Sequence, residues 1–227
     1  MVLTRYVADE YYRGHIGSFT AVFFSSVALN ALVWGPPVLL FFARLSVSWQ
    51  IRLNATLLFL MTLSIWLGVI FLSAAKDYMR IVLCFVVGSA ISLAASYGLG
   101  RFQGLAGYFA GFVIGQAALF LMIAYSIIKE FGYREPRDHF WLRYFAIYPV
   151  LAGIGIFYNL GIWVDKMLFW ASPEGHALDT WFRHCPVYDG PMFFAYLTIV
   201  PSLAYFLVRM ETDFFWKYQA YYHGIQD

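Results

Sequence analysis

The sequence predicts an all-α polytopic membrane protein with about six transmembrane helices, and three observations carry that prediction. Hydrophobic residues make up 62% of the 227-residue chain and charged residues only 12%. A soluble domain carries about 25% charged residues, so this much apolar surface has to be solvated by lipid. The apolar residues fall into long runs, each near the roughly 20 residues that a helix needs to cross a bilayer. The charges collect in the polar connections between those runs.

Composition also excludes several classes. A net charge of +2, with no dense basic cluster, gives no reason to expect nucleic acid as a partner. Cys84 and Cys185 lie far apart, so neither a disulfide framework nor a zinc site with Cys/His ligand spacing is expected. No metal and no cofactor are expected. Met1 to Gly17 has no short apolar run and no small-residue cleavage site, so no signal peptide is expected there.

Residues 1–16 mix Arg5, Asp9, Glu10 and Arg13 with aromatics and read as an interfacial or juxtamembrane segment. The first span is expected at 17–43, with a kink or break at Gly35-Pro36-Pro37, where two donors are lost. Asn30 is the strongly polar residue in its middle. A short connection over 44–54 leads to the second span, 55–75, which Lys76-Asp77-Tyr78-Met79-Arg80 ends. The third span, 81–100, carries Gly88, Ser92, Ser96 and Gly100 at four-residue spacing; the fourth, 104–128, carries Gly107, Gly111 and Gly115 likewise. Small residues every fourth position let helix backbones approach closely, so these two spans should pack as an antiparallel hairpin. Gln116 reads as a bond to a neighbouring helix.

The most polar stretch, 129–144, reads as a linker at the boundary between two halves, 1–128 and 145–227. The fifth span is expected at 145–169, a polar loop follows over 171–191, and the sixth span is expected at 192–208, with Pro201 inside. The aromatic, charged tail suggests a helix lying at the interface. With six spans, both termini share a side with Arg5, Arg13, Lys76, Arg80, Lys129, Arg134, Arg137, Arg143, Arg209 and Lys217; the other side holds Arg44, Arg52, Arg101, Arg183 and Lys166. The positive-inside rule then puts both termini in the cytoplasm.

The residues that invite a function lie near the end of the fifth span. Charge in or near hydrocarbon costs about 2.5–3.5 kcal/mol per group on insertion scales. Asp165 and Lys166 are adjacent there and cannot face the same way, because successive helix residues point about 100° apart. Tyr158, Gly161 and Asp165 share one stripe; Asn159, Trp163 and Lys166 share the next. Two readings stand. The pair sits at the lipid–water boundary with Trp163 and Trp170 as belt residues, or it faces a polar passage. No phosphate-cradling glycine loop, zinc-protease helix or nucleophile elbow occurs. The five histidines lie outside the spans, and Asp179 and Asp189 are the outer carboxylates left for catalysis, so an enzyme is not expected.

The stretches Thr4–Gly14 (TRYVADEYYRG), Asn159–Trp170 (NLGIWVDKMLFW) and Pro186–Phe215 resemble the Pel exopolysaccharide transporter family, PelG, a branch of the multidrug/oligosaccharidyl-lipid/polysaccharide flippase superfamily. The resemblance implies a two-bundle, flippase-like fold about twice as long, of which this chain would be a central fragment from just before the third span to just after the eighth. It implies movement of an amino-sugar-rich polysaccharide out of the cytoplasm across the inner membrane during biofilm matrix synthesis. Partners so implied are membrane lipid, the polysaccharide, a cytoplasmic glycosyltransferase and a cyclic-di-GMP receptor membrane complex. Carried onto this chain, Arg5, Asp9 and Arg13 fall where polymer or partner would arrive from the cytoplasm. Tyr158, Asn159, Asp165 and Lys166 fall on the helix that faces the passage. Two other expectations remain beside export: a scaffold anchoring a glycosyltransferase complex, and ion-coupled efflux of small molecules.

Overall fold

The computed structural model describes residues 1–132, 140–177, 182–209, 216–218, 221 and 224. It is built of helices, in two compact units, Met1–Asn159 and Leu160–Asp227. In chain order these are α1 (Val2–Tyr12), a 3-10 turn (Ile16–Ser18), α2 (Phe19–Ala43), α3 (Trp49–Ala74), α4 (Tyr78–Phe131), α5 (Phe140–Ile147), α6 (Pro149–Ala171) and α7 (Pro186–Arg209). A two-stranded antiparallel ladder, β1 (His176–Ala177) with β2 (Arg183–His184), lies between α6 and α7 in sequence. Among the described residues four helices are long and apolar enough to cross a membrane: α2 with its preceding turn, α3, α4 and α6.

The segment expected at the interface, residues 1–16, is an amphipathic helix with one face built into the first unit. Val2, Leu3, Tyr6, Val7 and Glu10 are buried and fall on one helical stripe. Gly14, at φ 75°, stops α1: its N–H bonds the Tyr11 carbonyl and the His15 N–H bonds the Glu10 carbonyl. That paired arrangement needs a left-handed residue just past the helix, which glycine adopts without Cβ strain.

α2 runs as one helix through Pro36 and Pro37, so the expected break does not occur. Proline's fixed φ is itself helical; what it removes is a donor, and the two rings point outward, exposed. α3 begins at Trp49, earlier than the expected 55, so most of the supposed connection is its first turns. Arg52 helps there, donating to the carbonyls of Val47 and Ala43 and so tying α3 to the end of α2.

α4 is 54 residues long, which as a straight helix would be about 80 Å, far beyond a hydrocarbon core of about 30 Å. It is not straight. Gly104 has non-helical backbone (φ 60°, ψ −138°), and the two arms turn back on each other there. A Cβ on Gly111 would collide with the backbone of Ser96, one on Gly115 with Ser92, and one on Gly107 with the Leu99 carbonyl. A Cβ on Gly88 would lie 2.7 Å from that of Leu119, and one on Gly100 would meet the Tyr108 ring. Ser96 donates to the Tyr108 carbonyl at 3.2 Å, and at the open end Arg80 pairs with Glu130 at 3.2 Å. Arg80 also holds Asp77, whose carboxylate caps the first arm.

The core of the first unit is aromatic. Phe19 meets Phe71 and Phe131 edge-on at centroid distances of 5.8 and 5.0 Å, and Phe23 meets Phe71 at 5.8 Å. Ile65, Leu72, Cys84, Leu119, Ile123 and Ile127 fill the space around them.

The expected fifth span differs most. Its start belongs to α5, and the chain begins a new helix at Pro149. A residue before proline is pushed out of the α region, and proline suits the first helical position, so Tyr148-Pro149 divides the two. The expected sixth span lies inside the 24-residue α7, which also takes in Pro191 and Pro201. The middle of the expected linker (133–139), Asp179 of the outer loop, and Phe214, Phe215 and Tyr222 of the tail lie outside the described residues.

Candidate functional site

In the second unit, α6 presents its acid and its base to different partners. The Asp165 carboxylate accepts a short hydrogen bond from the Tyr188 hydroxyl, and its other oxygen accepts from the Lys166 backbone N–H at 2.8 Å. The Lys166 ammonium lies over the Trp163 ring at 4.9 Å and the Trp170 ring at 5.8 Å, a cation held against two indole faces. The 100° between successive helix positions produces this separation: position 166 turns toward 163 and 170, one turn either side, while 165 turns away.

The first turn of α7 completes the cluster. Tyr188 stacks on Phe169 at 4.3 Å with 16° between the ring planes. Asp189 accepts the Trp170 indole N–H at 3.2 Å and the Cys185 backbone N–H at 2.8 Å. The bond to the Asp165 carboxylate, followed by burial, pushes the Tyr188 hydroxyl up to about 12. Neighbouring Tyr188 and Asp189 thus both reach α6, at Asp165 and Trp170. Sequence reading missed Tyr188 and took Asp189 only as an outer carboxylate. The signal was available in Pro186-Val187-Tyr188-Asp189-Gly190-Pro191, a helix start whose acidic residue suits the first turn.

Tyr158 and Asn159 belong to the first unit. Asn159 is exposed and spends its amide on the Gly155 carbonyl at 2.8 Å, one turn back on its own helix. Tyr158 is 61% exposed.

On α1, Arg5 pairs with Asp9 at 3.1 Å and lies 5.9 Å from the centre of the Tyr148 ring. Arg13 pairs with Glu10 at 2.8 Å, and that bond holds the Arg13 guanidinium in its charged form still more firmly. Glu10, not singled out from the sequence, is only 8% exposed; its second oxygen meets His15 Nδ1 at 3.2 Å. It lies one turn beyond Tyr6 on the buried stripe, which was the signal that could have found it. Tyr6 packs edge-on against Tyr144 at 5.1 Å, and burial raises the pKa of both hydroxyls. The three α1 residues expected to meet polymer are therefore largely engaged along their own helix.

Among the described residues no three His, Cys, Asp or Glu side chains come together as a metal cage. The α6–α7 cluster offers flat aromatic faces, carboxylate acceptors and one ammonium. Those are the groups that hold a polyhydroxylated chain by stacking and hydrogen bonds. Neither the curated proteins nor the solved structures give a match to the chain. The family comparison does, over residues 1–227, the whole length: the chain belongs to PelG, the exopolysaccharide exporter (EPS-E) family.

Proposed function

We propose that this chain forms part of an inner-membrane passage moving an exopolysaccharide of the Pel type from cytoplasm to periplasm during biofilm matrix synthesis. The family match across residues 1–227 carries the reading, and the family is one of exporters rather than enzymes. The long apolar helices fit it. In this reading the chain has six spans, counting the two arms of α4 separately and including 192–208 within α7, distributed over two helical bundles, with both termini on the cytoplasmic side. Such two-bundle transporters work by exposing a central cavity to each side in turn.

The cluster around Asp165 is the proposed polymer contact. Trp163 and Trp170 supply ring faces for sugars, and Lys166 supplies a cation already shielded by those faces. Asp165 supplies a carboxylate acceptor for hydroxyl or amino groups. Arg5, Asp9 and Arg13, on the cytoplasmic side, are proposed to meet the polymer or its synthesising glycosyltransferase, in a complex that includes a cyclic-di-GMP receptor.

Secreted polymer, measured in a strain carrying the complete gene, tests this. Asp165→Asn and Lys166→Gln should each lower secretion at unchanged membrane abundance. Secretion at the wild-type level in both would remove the contact role. Charge reversal within 129–144 separates export from scaffolding: loss of synthase co-purification, with Asp165→Asn secretion intact, would favour a scaffold.

A further inference from the structure

The connection between α6 and α7 holds a second arrangement that the export reading does not use. His176 and His184 are direct partners in the β1–β2 ladder. Directly opposed residues of an antiparallel pair project from the same face, with Cβ atoms about 4.5–5.5 Å apart. The two imidazoles accordingly face each other, centroids 5.7 Å apart with 48° between planes. His184 Nδ1 lies 3.2 Å from the His176 carbonyl oxygen. A carbonyl can only accept, so Nδ1 must carry the proton, which leaves the His184 Nε2 lone pair free. Donation of one ring nitrogen to a backbone carbonyl is the device that orients metal-binding histidines and makes them better ligands.

We propose that His176 and His184 chelate a single borderline transition-metal ion of the Zn2+, Cu2+ or Ni2+ class. Imidazole nitrogen suits these ions; Ca2+ and Mg2+ prefer oxygen and are not expected. Two protein ligands make an open, exchangeable site, with water completing the coordination. Cys185 is not a third ligand, since it is fully buried next to an accessible His184. Asp189 is not one either, its oxygens being taken by Trp170 and the Cys185 N–H. Arg183, the neighbouring cation, directs its guanidinium toward the Gly175 carbonyl at 3.4 Å. A bound ion would join β1 to β2.

Calorimetric titration of the full chain in detergent micelles with Zn2+ alone tests the proposal. One equivalent should bind, and His176→Gln and His184→Gln should each weaken it at least about tenfold, because losing either arm converts a chelate into a single contact. A His15→Gln/His223→Gln double variant should bind as the wild type does. Wild-type affinity in either hairpin variant, or equal loss in the His15/His223 control, would overturn the site; Mg2+ displacing Zn2+ at equal concentration would overturn its ligand class.

Discussion

The hydrophobic helices of this chain divide into two kinds. α2, α3 and α4 are apolar and packed: a third to nearly half of each helix's most apolar window is enclosed by other parts of the protein. α6 is also apolar, yet none of its window is enclosed. Both sequences score as spans, because hydropathy reports compatibility with lipid and says nothing about partners. What separates them is side-chain shape. The packed set carries phenylalanines that interlock and glycines that remove bulk where backbones cross. α6 has glycines too, but Gly153 and Gly161 have open space beside them. A glycine therefore marks close packing only when a matching surface faces it. The polar chemistry follows the opposite distribution: the unusual acid–base pair sits on the helix that is least covered.

Truncating one aromatic ring in each region should give the largest contrast. Phe71, fully buried among Phe19, Phe23 and neighbours, should cost about 3–5 kcal/mol on Phe71→Ala, much of it for the cavity left behind. Phe157, 74% exposed on α6, should cost little on Phe157→Ala. Thermal unfolding in detergent reads both, and equal losses would mean that α6 is packed after all.

Glycine substitution should follow at smaller size. Gly111→Val drives carbon into the Ser96 backbone and should destabilise by about 1–3 kcal/mol, since neither arm has a flexible side chain there to give way. Gly161→Ala, in open space on a helix, should instead stabilise by about 0.5–1 kcal/mol. A neutral Gly111→Val would show that the hairpin can splay without penalty.

Much of this contrast was legible beforehand. The four-residue spacing from Gly88 to Gly115 identifies two flat faces, and the brief connection between them leaves an antiparallel hairpin as the economical arrangement. Spans α2 and α3 were legible from length and hydropathy alone. The start of α3 was not, because Arg52 and Asn54 are polar, and a hydropathy boundary falls after them although the helix already runs through them. The division at Tyr148-Pro149 was present in the sequence as a single proline, overridden by the apolar run on both sides. Of the candidate site, the divergence of Asp165 and Lys166 followed from helix geometry. Their partners did not, since Tyr188 and Asp189 come from another element and long-range pairing leaves no periodic trace. Glu10 was hidden for a related reason: a carboxylate reads as surface, whereas its stripe position on α1 buries it between Arg13 and His15.

One strained position lies in the packed region. Lys76 ends α3 at φ 58°, in the left-handed region that costs a non-glycine residue about 1 kcal/mol or somewhat more. Its N–H bonds the Ser73 carbonyl and the next N–H bonds Leu72, the same closing pattern that Gly14 provides for α1. Lys76→Gly should raise the unfolding midpoint by a few degrees. A lowered midpoint would mean that the lysine side chain contributes more than its backbone costs.

The smallest effect is also the most specific to the sparsely covered region. Tyr188 has its pKa raised from the ordinary 10.0 to about 12 by its bond to Asp165. A folded-state pKa above the unfolded one means that this bond's contribution to stability is complete below about pH 10 and is lost as pH rises through about 12. The link between α6 and α7 is therefore intact throughout the physiological range. A difference titration of tyrosinate absorbance, wild type minus Tyr188→Phe, should show one hydroxyl titrating near 12. The same difference taken in an Asp165→Asn background should move that transition down toward 10, because the charge that opposes ionisation is gone. A transition near 10 in both backgrounds would mean that Asp165 and Tyr188 are not bonded, and Asp165 would then be an unpaired carboxylate on an uncovered helix. That outcome would favour the polar-passage reading over the boundary reading, since an unpaired charge at that position needs water or a polar ligand beside it.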